Sequence, residues 1–286
     1  MRVALAVLLF TISFVSPLAA QQFEGTLQQI KKSGEIRIGF REAEPPMSFL
    51  GKDGTPAGYS IDICMQIVAA LDRKIGTRLK IKYVPVTAEN RFSTLTDGKI
   101  DILCGSTTKT LARGEFVDFT QLTFVTGASL MTLKSADLPD LASLNRKKIG
   151  VVQNTTTIEV LYSLLDQAKV NGRVVRVATA SNGLEKLRSG EIDAFSADQV
   201  VLIGLATTAD DADDFGISSG VFSFEPFALA VRRNDADFRL VADRVISHLY
   251  RSQEILQIYN KWMGKFSKER QAAFDALIQL NATPEG

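Results

Sequence analysis

The 286 residues carry 33 lysines and arginines against 32 aspartates and glutamates, and 45% of them are hydrophobic, as in an ordinary globular protein. Because the basic residues are scattered along the chain, neither nucleic acid nor an anionic membrane surface is predicted as a partner. The single histidine, His248, and the two cysteines do not form a metal-ligand pattern, so we predict neither a metal nor a cofactor.

The N-terminal stretch MRVALAVLLFTISFVSPLAA predicts a secretory signal peptide over residues 1–20. It has a basic Arg2, an apolar run over 3–15 and small residues before Gln21. That run is short for a helix that spans a bilayer. We therefore expect a soluble mature protein exported to the periplasm, with cleavage near Ala20.

Beyond this stretch, short β-branched runs alternate with helical patterns. In chain order we predict strand 36–40, helix 61–71, strand 81–86, a short helix from Arg91, strand 100–105, strand 148–153, helix 158–165, strand 173–178, helix 183–187, strand 192–198, an apolar run 199–206 entering a helix near Gln199, strand 227–233, and helices 235–250 and 253–264. Such alternation is typical of parallel sheets with helices on both faces.

The only cysteines are Cys64 and Cys104. In an oxidising compartment such a pair is interpreted as one disulfide, which would add roughly 3 to 4 kcal/mol to the free energy of unfolding. Two buried free thiols are the alternative.

One pattern occurs twice. LTDGKID over 95–101 and LRSGEID over 187–193 share a helix end, a glycine that terminates the helix, and an entering strand. The chain is therefore interpreted as two similar α/β lobes. Five residues after each aspartate come Ser106 and Asp198, and because ligands bind at the carboxyl ends of parallel strands, we expect these two residues to face one another across a cleft.

Polar groups cluster at the expected cleft. The stretch CGSTTKTLAR over 104–113 offers hydroxyls and Arg113, which suit a small carboxylate; a capped turn with a solvated Arg113 is the alternative. The run over 153–157 offers an anion site at a helix start or a simple cap. Asp198, between apolar runs, suits a ligand ammonium group or a cap for the following helix.

Several longer stretches carry a resemblance to a known family. They are REAEPPMSFL, GYSIDICMQIVAAL, VPVTAENR, TLTDGKIDILCGSTTKTLARGEFVDFT, NTTTIEVL, GEIDAFSAD and IYNKWMG. Together they resemble the family 3 periplasmic solute-binding proteins of amino-acid ABC transporters, and several are most similar to the glutamate/aspartate-binding members. The resemblance implies a type II periplasmic binding protein fold, an α/β fold of two lobes with mainly parallel sheets joined by two hinge strands. Lobe 1 would comprise 23–125 and 226–286, and lobe 2 would comprise 126–225.

The resemblance also implies a role for each candidate site residue. Arg113 with Thr108 would hold the ligand α-carboxylate, Ser106 the backbone end of the amino acid, and Asp198 the α-ammonium group, while Thr156 and Gln153 would contribute from lobe 2, and Arg41 and Arg91 would hold the side-chain carboxylate. The implied protein is a monomeric receptor that catalyses no reaction and delivers its ligand to an ABC permease in the inner membrane.

Charge counting favours the same class of ligand. Three arginines and one aspartate leave a surplus near two positive charges, which a dicarboxylic amino acid would match. Ala88 and Ala180 stand where acidic-ligand relatives carry a serine and a histidine, which leaves open the choice among aspartate, glutamate and a modified acid. A glycine of the second-lobe turn is also replaced, by Asn154 or by Thr155 depending on the alignment.

Other functions stay open. The ligand could be another polar amino acid such as glutamine. Some secreted relatives of this fold are dehydratases acting on prephenate or arogenate, although Glu42 and Glu44 are the only acids near Arg41 and no catalytic pattern is visible. A sensory domain that acts through a membrane partner is a third class.

Overall fold

The computed structural model describes residues 23–264 and 272–286, so the predicted signal peptide lies outside the described residues. The described helices are α1 Gly25–Ser33, α2 Tyr59–Ile75, α3 Arg91–Thr96, α4 Thr157–Gln167, α5 Ala180–Arg188, α6 Gln199–Thr208, α7 Ala236–Arg251, α8 Ile255–Met263 and α9 Ala272–Asn281. The described strands are β1 Glu35–Phe40, β2 Ala43–Glu44, β3 Ser48–Leu50, β4 Pro56–Ala57, β5 Lys80–Pro85, β6 Ile102–Cys104, β7 Val117–Thr126, β8 Ala128–Leu133, β9 Lys148–Val152, β10 Arg173–Val177, β11 Ala194–Asp198, β12 Phe215–Ile217 and β13 Glu225–Arg232.

Two five-stranded sheets organise the molecule, with orders β5-β1-β6-β13-β7 and β10-β9-β11-β8-β12. In each sheet the first three strands run parallel and the last two pair antiparallel. The parallel strands are those linked by helices, whereas β7, β8, β12 and β13 come from chain segments that pass directly between the sheets. The α/β fold class is confirmed, with sheets that are mixed rather than mainly parallel.

The chain crosses between the sheets twice. The first crossing is at Gly127, between β7 and β8, and the second runs through 218–224, between β12 and β13. The crossings are bonded to each other, since Phe222 N–H donates to the Ala128 carbonyl at 2.9 Å and Ala128 N–H donates to Ser223 Oγ at 2.9 Å. We call the elements around the first sheet the first lobe, those around the second sheet the second lobe, and the space between them the cleft.

The repeated pattern has the same structural meaning in both lobes. Gly98 and Gly190 follow α3 and α5 with φ of 68° and 72°, as expected of glycines that terminate helices. Asp101 then accepts a hydrogen bond from the backbone N–H of Arg37, and Asp193 accepts one from that of Lys148, each at 2.8 Å. Each aspartate thus ties its own strand to the neighbouring parallel strand, so the sequence repeat is a repeat of structure.

Helix α2 carries one cysteine of the disulfide that anchors a strand leading to the cleft. It follows Gly58, whose φ of 134° and close approach to the Met47 carbonyl exclude a side chain. Within α2, Cys64 forms a disulfide with Cys104, the last residue of β6, which confirms the predicted pairing. The covalent bond therefore anchors the strand whose end leads directly to Ser106.

Most elements predicted from the sequence are present with shifted ends. The predicted strand 100–105 is only β6, and the apolar run 199–206 lies within α6. Sequence analysis missed α1, α9 and the long antiparallel strands β7 and β8, the latter because a strand that crosses between lobes follows no helix. None of the described helices combines the length and apolar character needed to cross a membrane.

Candidate functional site

The candidate residues lie where parallel strands of both sheets end. Arg41 follows β1, Ser106 follows β6, Thr156 follows β9 by a short turn, and Asp198 is the last residue of β11. Parallel strands bring their carboxyl ends to one edge of a sheet, so the cleft collects side chains that are far apart in sequence. Ser106 and Asp198 come from opposite lobes, as the repeated pattern predicts.

Arg41 forms an ion pair inside the first lobe. Its guanidinium contacts Glu44 Oε1 at 2.6 Å, and both side chains are buried. The other oxygen of Glu44 accepts a hydrogen bond from the Ser106 hydroxyl. Because a carboxylate already neutralises Arg41, this arginine is less available to a ligand than the sequence count assumes.

Arg91 has no such carboxylate partner in the part of the chain that the structure describes. It is 3% exposed, donates to the carbonyls of Ala88 and, at 3.2 Å, of Asn154 in the second lobe, and keeps a buried Nε without a hydrogen-bond partner. Burial, followed by the charges of Arg113 and Arg41, lowers the pKa of Arg91 to about 9. A buried guanidinium without a carboxylate is a site prepared for an anion.

Arg113 shares this environment. Its guanidinium donates to the Thr108 carbonyl at 2.7 Å, and burial lowers its pKa, with Glu225 and Asp198 opposing the shift. Arg91 and Arg113 both lie over the ring of Phe92, at 4.5 Å and 5.5 Å from its centroid. Neither arginine forms an ion pair with a carboxylate among residues 23–264 and 272–286, so two cations face the cleft unneutralised. Thr110 does accept from the Arg113 N–H at 3.1 Å, so the capped turn exists as well.

Asp198 is the acidic candidate residue of the cleft, alongside the arginines Arg91 and Arg113. Although it precedes α6, its side chain makes no capping hydrogen bond, and its buried Oδ1 has no partner among the described residues. Burial, followed by the charges of Glu225 and Glu44, raises the pKa of Asp198 well above its ordinary value, while Arg113 and Arg41 oppose that shift. The capping alternative is therefore not realised, and a buried carboxylate oxygen is left for a donor from outside the chain.

Glu225 lies at the centre of the cleft and was missed by the sequence analysis. It begins β13, beside the second crossing, and is 2% exposed. Its Oε2 accepts from the hydroxyls of Thr108 at 2.6 Å and Thr156 at 2.8 Å, and its Oε1 accepts from Ser223 at 2.8 Å. Thr108 belongs to the first lobe and Thr156 to the second, so one carboxylate joins both lobes.

Other contacts across the cleft show the lobes close together. Gln153 lies at the rim, where its amide donates to Glu89 at 3.4 Å, so it faces the opposite lobe rather than the buried arginines. Asn154, with φ of 57°, adopts a conformation that glycine commonly supplies in turns, which favours the alignment that places the family's glycine at this residue. Gly204 of α6 packs against the Pro45 carbonyl of the first lobe.

The charge count from sequence needs correction. Glu44 and Glu225 join Asp198 in the cleft, so three carboxylates stand against three arginines rather than one. The surplus near two positive charges is therefore absent when all six groups are ionised. The sequence contained a weak indication of the first extra carboxylate, because Glu44 lies close to Arg41 in the chain. The residues around Glu225 do not indicate that it contacts Thr108, which is 117 residues away in sequence.

Residues 23–264 and 272–286 contain no group of histidine, cysteine, aspartate and glutamate side chains arranged to hold a metal ion. The cleft offers two unpaired guanidiniums, an unpaired carboxylate and several hydroxyls. These are groups that bind charged organic molecules by hydrogen bonds and ion pairs.

Comparison with known proteins places the chain among binding proteins. The family described as bacterial extracellular solute-binding proteins, family 3, matches residues 36–265. The L-glutamate/L-aspartate-binding protein of Pseudomonas aeruginosa is 33% identical over 249 residues, 86% of this chain and 82% of that protein. The glutamate/aspartate import solute-binding protein of Escherichia coli K12 is 32% identical over 245 residues, 85% of this chain and 81% of that protein.

Solved structures agree with the fold. A mutant of ArgBP from T. maritima superposes with a TM-score of 0.74 at 25% identity, covering 84% of this chain and 100% of that chain. The ancestral amino acid-binding protein AncCDT-1, a precursor of cyclohexadienyl dehydratase, gives a TM-score of 0.73 at 23% identity, covering 85% of this chain and 100% of that chain, which is a likeness of fold alone. With its two lobes, its polar cleft and a family match over most of its length, the chain belongs to the family 3 bacterial extracellular solute-binding proteins.

Proposed function

We propose that this protein is the periplasmic binding component of an ABC importer for acidic L-amino acids, glutamate and aspartate. The observation that carries the proposal is the pair of the buried Arg91 and the half-buried Arg113, two guanidiniums without a carboxylate partner in the described residues, in the same cleft as Asp198, whose Oδ1 has no hydrogen-bond partner there. A dicarboxylic amino acid supplies two carboxylates and one ammonium group, which is one partner for each of these three residues.

The proposed role of each residue follows from the ion-pair or hydrogen-bond partner that it lacks in the described residues. Arg113, held at the Thr108 carbonyl, takes the α-carboxylate, while Arg91, deeper and stacked on Phe92, takes the side-chain carboxylate. Asp198 takes the ammonium group. Arg41 contributes mainly positive potential, because Glu44 already binds it at 2.6 Å. Gln153 acts at the rim and Ser106 through Glu44.

The ligand lies between two lobes that close upon it, comprising 23–125 with 226–286 and 126–225. Closure would bring Thr156 and Asn154 against the first lobe, as their contacts with Glu225 and Arg91 suggest. The closed form is what the permease in the inner membrane would recognise. The mature chain, after removal of the signal peptide near Ala20, acts as a monomer without catalysis. The names of the relatives support this transport role.

One observation favours a second candidate. With all six cleft charges ionised the balance is zero, and a net-neutral amino acid such as glutamine would preserve it. Glutamine, however, leaves one of the two unpaired arginines without an anion, which costs several kcal/mol in a buried site. The acidic ligand satisfies both arginines, so we rank it first.

Isothermal titration of mature protein, freed of carried-over ligand by unfolding and refolding, tests the proposal. L-glutamate, L-aspartate, L-glutamine, L-arginine and prephenate are titrated in parallel. We expect the two acids to bind at least about a hundredfold more tightly than glutamine, which corresponds to a loss of nearly 3 kcal/mol. Preferred binding of glutamine or arginine would refute the acidic ligand and keep the receptor role. Sustained heat and turnover with prephenate would indicate the dehydratase instead.

A further inference from the structure

Glu225 is a buried carboxylate of the cleft to which the proposed function assigns no ligand contact. It is not paired with an arginine in the described residues; instead, three hydroxyls from three different segments donate to it. Thr108 follows β6, Thr156 precedes α4, and Ser223 lies in the second crossing. A buried carboxylate that accepts hydrogen bonds from three hydroxyls is held rigidly in position.

The arrangement determines the direction of two hydrogen bonds. A carboxylate can only accept, and a hydroxyl has a single proton. Since Thr108 and Thr156 both lie within 2.8 Å of Glu225 Oε2, each must give its proton to that oxygen. Both threonine oxygens then present only lone pairs to the ligand. Lone pairs attract an ammonium group and repel a carboxylate.

The two threonines also come from opposite lobes. Their hydroxyl oxygens are 3.5 Å apart, which requires the closed arrangement of the lobes. Ser223 fixes the other oxygen of Glu225 at 2.8 Å, and Ser223 itself accepts from the backbone of the first crossing at 2.9 Å. Glu225 is thus held by the crossings and reaches both edges of the cleft.

From this geometry we infer that Glu225 is a positioning residue: by bridging Thr108 and Thr156 in the closed form, it turns both hydroxyls into acceptors for the ligand ammonium group. The inference rests on the proposed function, because it concerns recognition of an amino acid. It assigns Thr108 and Thr156 to the ammonium group, whereas the resemblance assigns Thr108 to the α-carboxylate.

The experiment compares amino acids with analogues that lack only the amino group. Affinities of L-glutamate and glutarate, and of L-glutamine and glutaramate, are measured by titration for the parent protein, Glu225→Met and Thr156→Val. Methionine keeps the length of the side chain but accepts no comparable hydrogen bond. We expect both variants to lower the preference for the amino acid over its analogue by about tenfold or more, as loss of a buried hydrogen-bond partner implies.

Two further variants, together with Thr156→Val, separate this role from a general structural one. Thr156→Val changes no charge, so a reduced preference there does not arise from the charge of Glu225. Thr156→Ser restores the hydroxyl and should restore the preference. Thr77→Val, at an exposed threonine just after α2, makes the same chemical change away from Glu225 and should leave the preference within about twofold. Folding of each variant is checked by thermal unfolding.

The outcomes distinguish the two ideas. If both members of a pair weaken equally in Glu225→Met and Thr156→Val, Glu225 is only structural and the inference is overturned. If the analogues weaken more than the amino acids, the threonines bind the carboxylate, which also overturns it. If the parent protein prefers the glutamine pair, the acidic ligand fails while the inference is still decided on that pair. Binding of neither pair refutes both.

Discussion

Arg91 and Asp198 carry opposite charges into one cleft, and each keeps a buried atom that has no hydrogen-bond partner within residues 23–264 and 272–286. The positive charge of Arg91 is disfavoured by burial and by Arg113, and the negative charge of Asp198 by burial and by Glu225. Two charges that each lack a partner cost stability in the ligand-free protein. Such a loss of stability is expected at a binding site whose charges find partners only when the ligand is bound. Shifted pKa values concentrate at functional sites for this reason.

Asp198→Asn should weaken binding of L-glutamate by more than about 30-fold, because it removes the charge that faces the ligand ammonium group. The same substitution should raise the free energy of unfolding of ligand-free protein at neutral pH by about 1 to 3 kcal/mol, since it removes a buried unpaired charge. Titration and urea unfolding measure the two effects. Asp137→Asn, at an exposed residue with φ of 48°, is the control and should change neither. A variant that binds normally would exclude Asp198 from the site.

Arg91→Met should likewise stabilise the ligand-free protein and weaken ligand binding. Methionine fills much of the volume beside Phe92 and leaves no buried guanidinium, so ligand-free protein should gain about 1 to 3 kcal/mol in urea unfolding. Binding of L-glutamate should fall at least about a hundredfold, and the preference over L-glutamine should disappear. Arg78→Met, which removes one exposed positive charge, is the matched control. Retention of the acid preference in Arg91→Met would place the side-chain carboxylate elsewhere.

The raised pKa of Asp198 gives binding a pH dependence. In the folded, ligand-free protein, Asp198 keeps its proton at pH values above its ordinary pKa of 3.8. This residue therefore lowers the free energy of unfolding as the pH rises from 3.8 through the raised pKa. A bound ammonium group favours the ionised form, so within this window binding should release up to about one proton and tighten as the pH rises. Titration in buffers of different ionisation enthalpy measures the released proton. Asp198→Asn should abolish it, and persistence of the release would assign the proton to another group.

Gly204→Ala should impede closure. A Cβ at Gly204 would collide with the carbonyl of Pro45 and the ring of Pro46 in the first lobe. Because backbone must move to make room, affinity should fall roughly tenfold to a hundredfold. Small-angle scattering should show a larger radius of gyration for the ligand-bound variant. Gly216→Ala, whose Cβ would have no neighbour nearer than 3.7 Å, is the control in the same lobe. Normal affinity and compaction in Gly204→Ala would mean that the productive closed form differs here.

The disulfide should contribute to stability. It joins Cys64 and Cys104 across 40 residues of sequence, for which chain-entropy arguments give about 4 kcal/mol. The double variant Cys64→Ala/Cys104→Ala should lose that much in urea unfolding. Reductant should bring the parent protein to the same level and leave the variant unchanged. Equal stability of parent and variant under oxidising conditions would show that the bond does not constrain the unfolded chain.

Local sequence signals predicted much of this fold. Windows of a few residues encode the alternation of strands and helices and the glycines Gly98 and Gly190 after α3 and α5. They also encode the position of Asp198 at the end of its strand and of Ser106 just after its own. Such windows set periodicity and turns, which follow from backbone sterics and side-chain polarity. The antiparallel strands β7 and β8 were missed because they pass directly between the lobes and do not belong to the alternation of strands and helices.

The sequence by itself determined the two α/β lobes, the single possible disulfide pair and the position of Ser106 and Asp198 at the ends of their strands, because each of these depends on local pattern or on composition. Only the tertiary structure decided how the charges are distributed. It paired Arg41 with Glu44 and brought Glu225 to Thr156, which is 69 residues away. It also left Arg91 without a carboxylate partner among the residues that the structure describes. The physical reason is that ion pairing and burial depend on distance in space, and the folding of both sheets toward one cleft sets those distances.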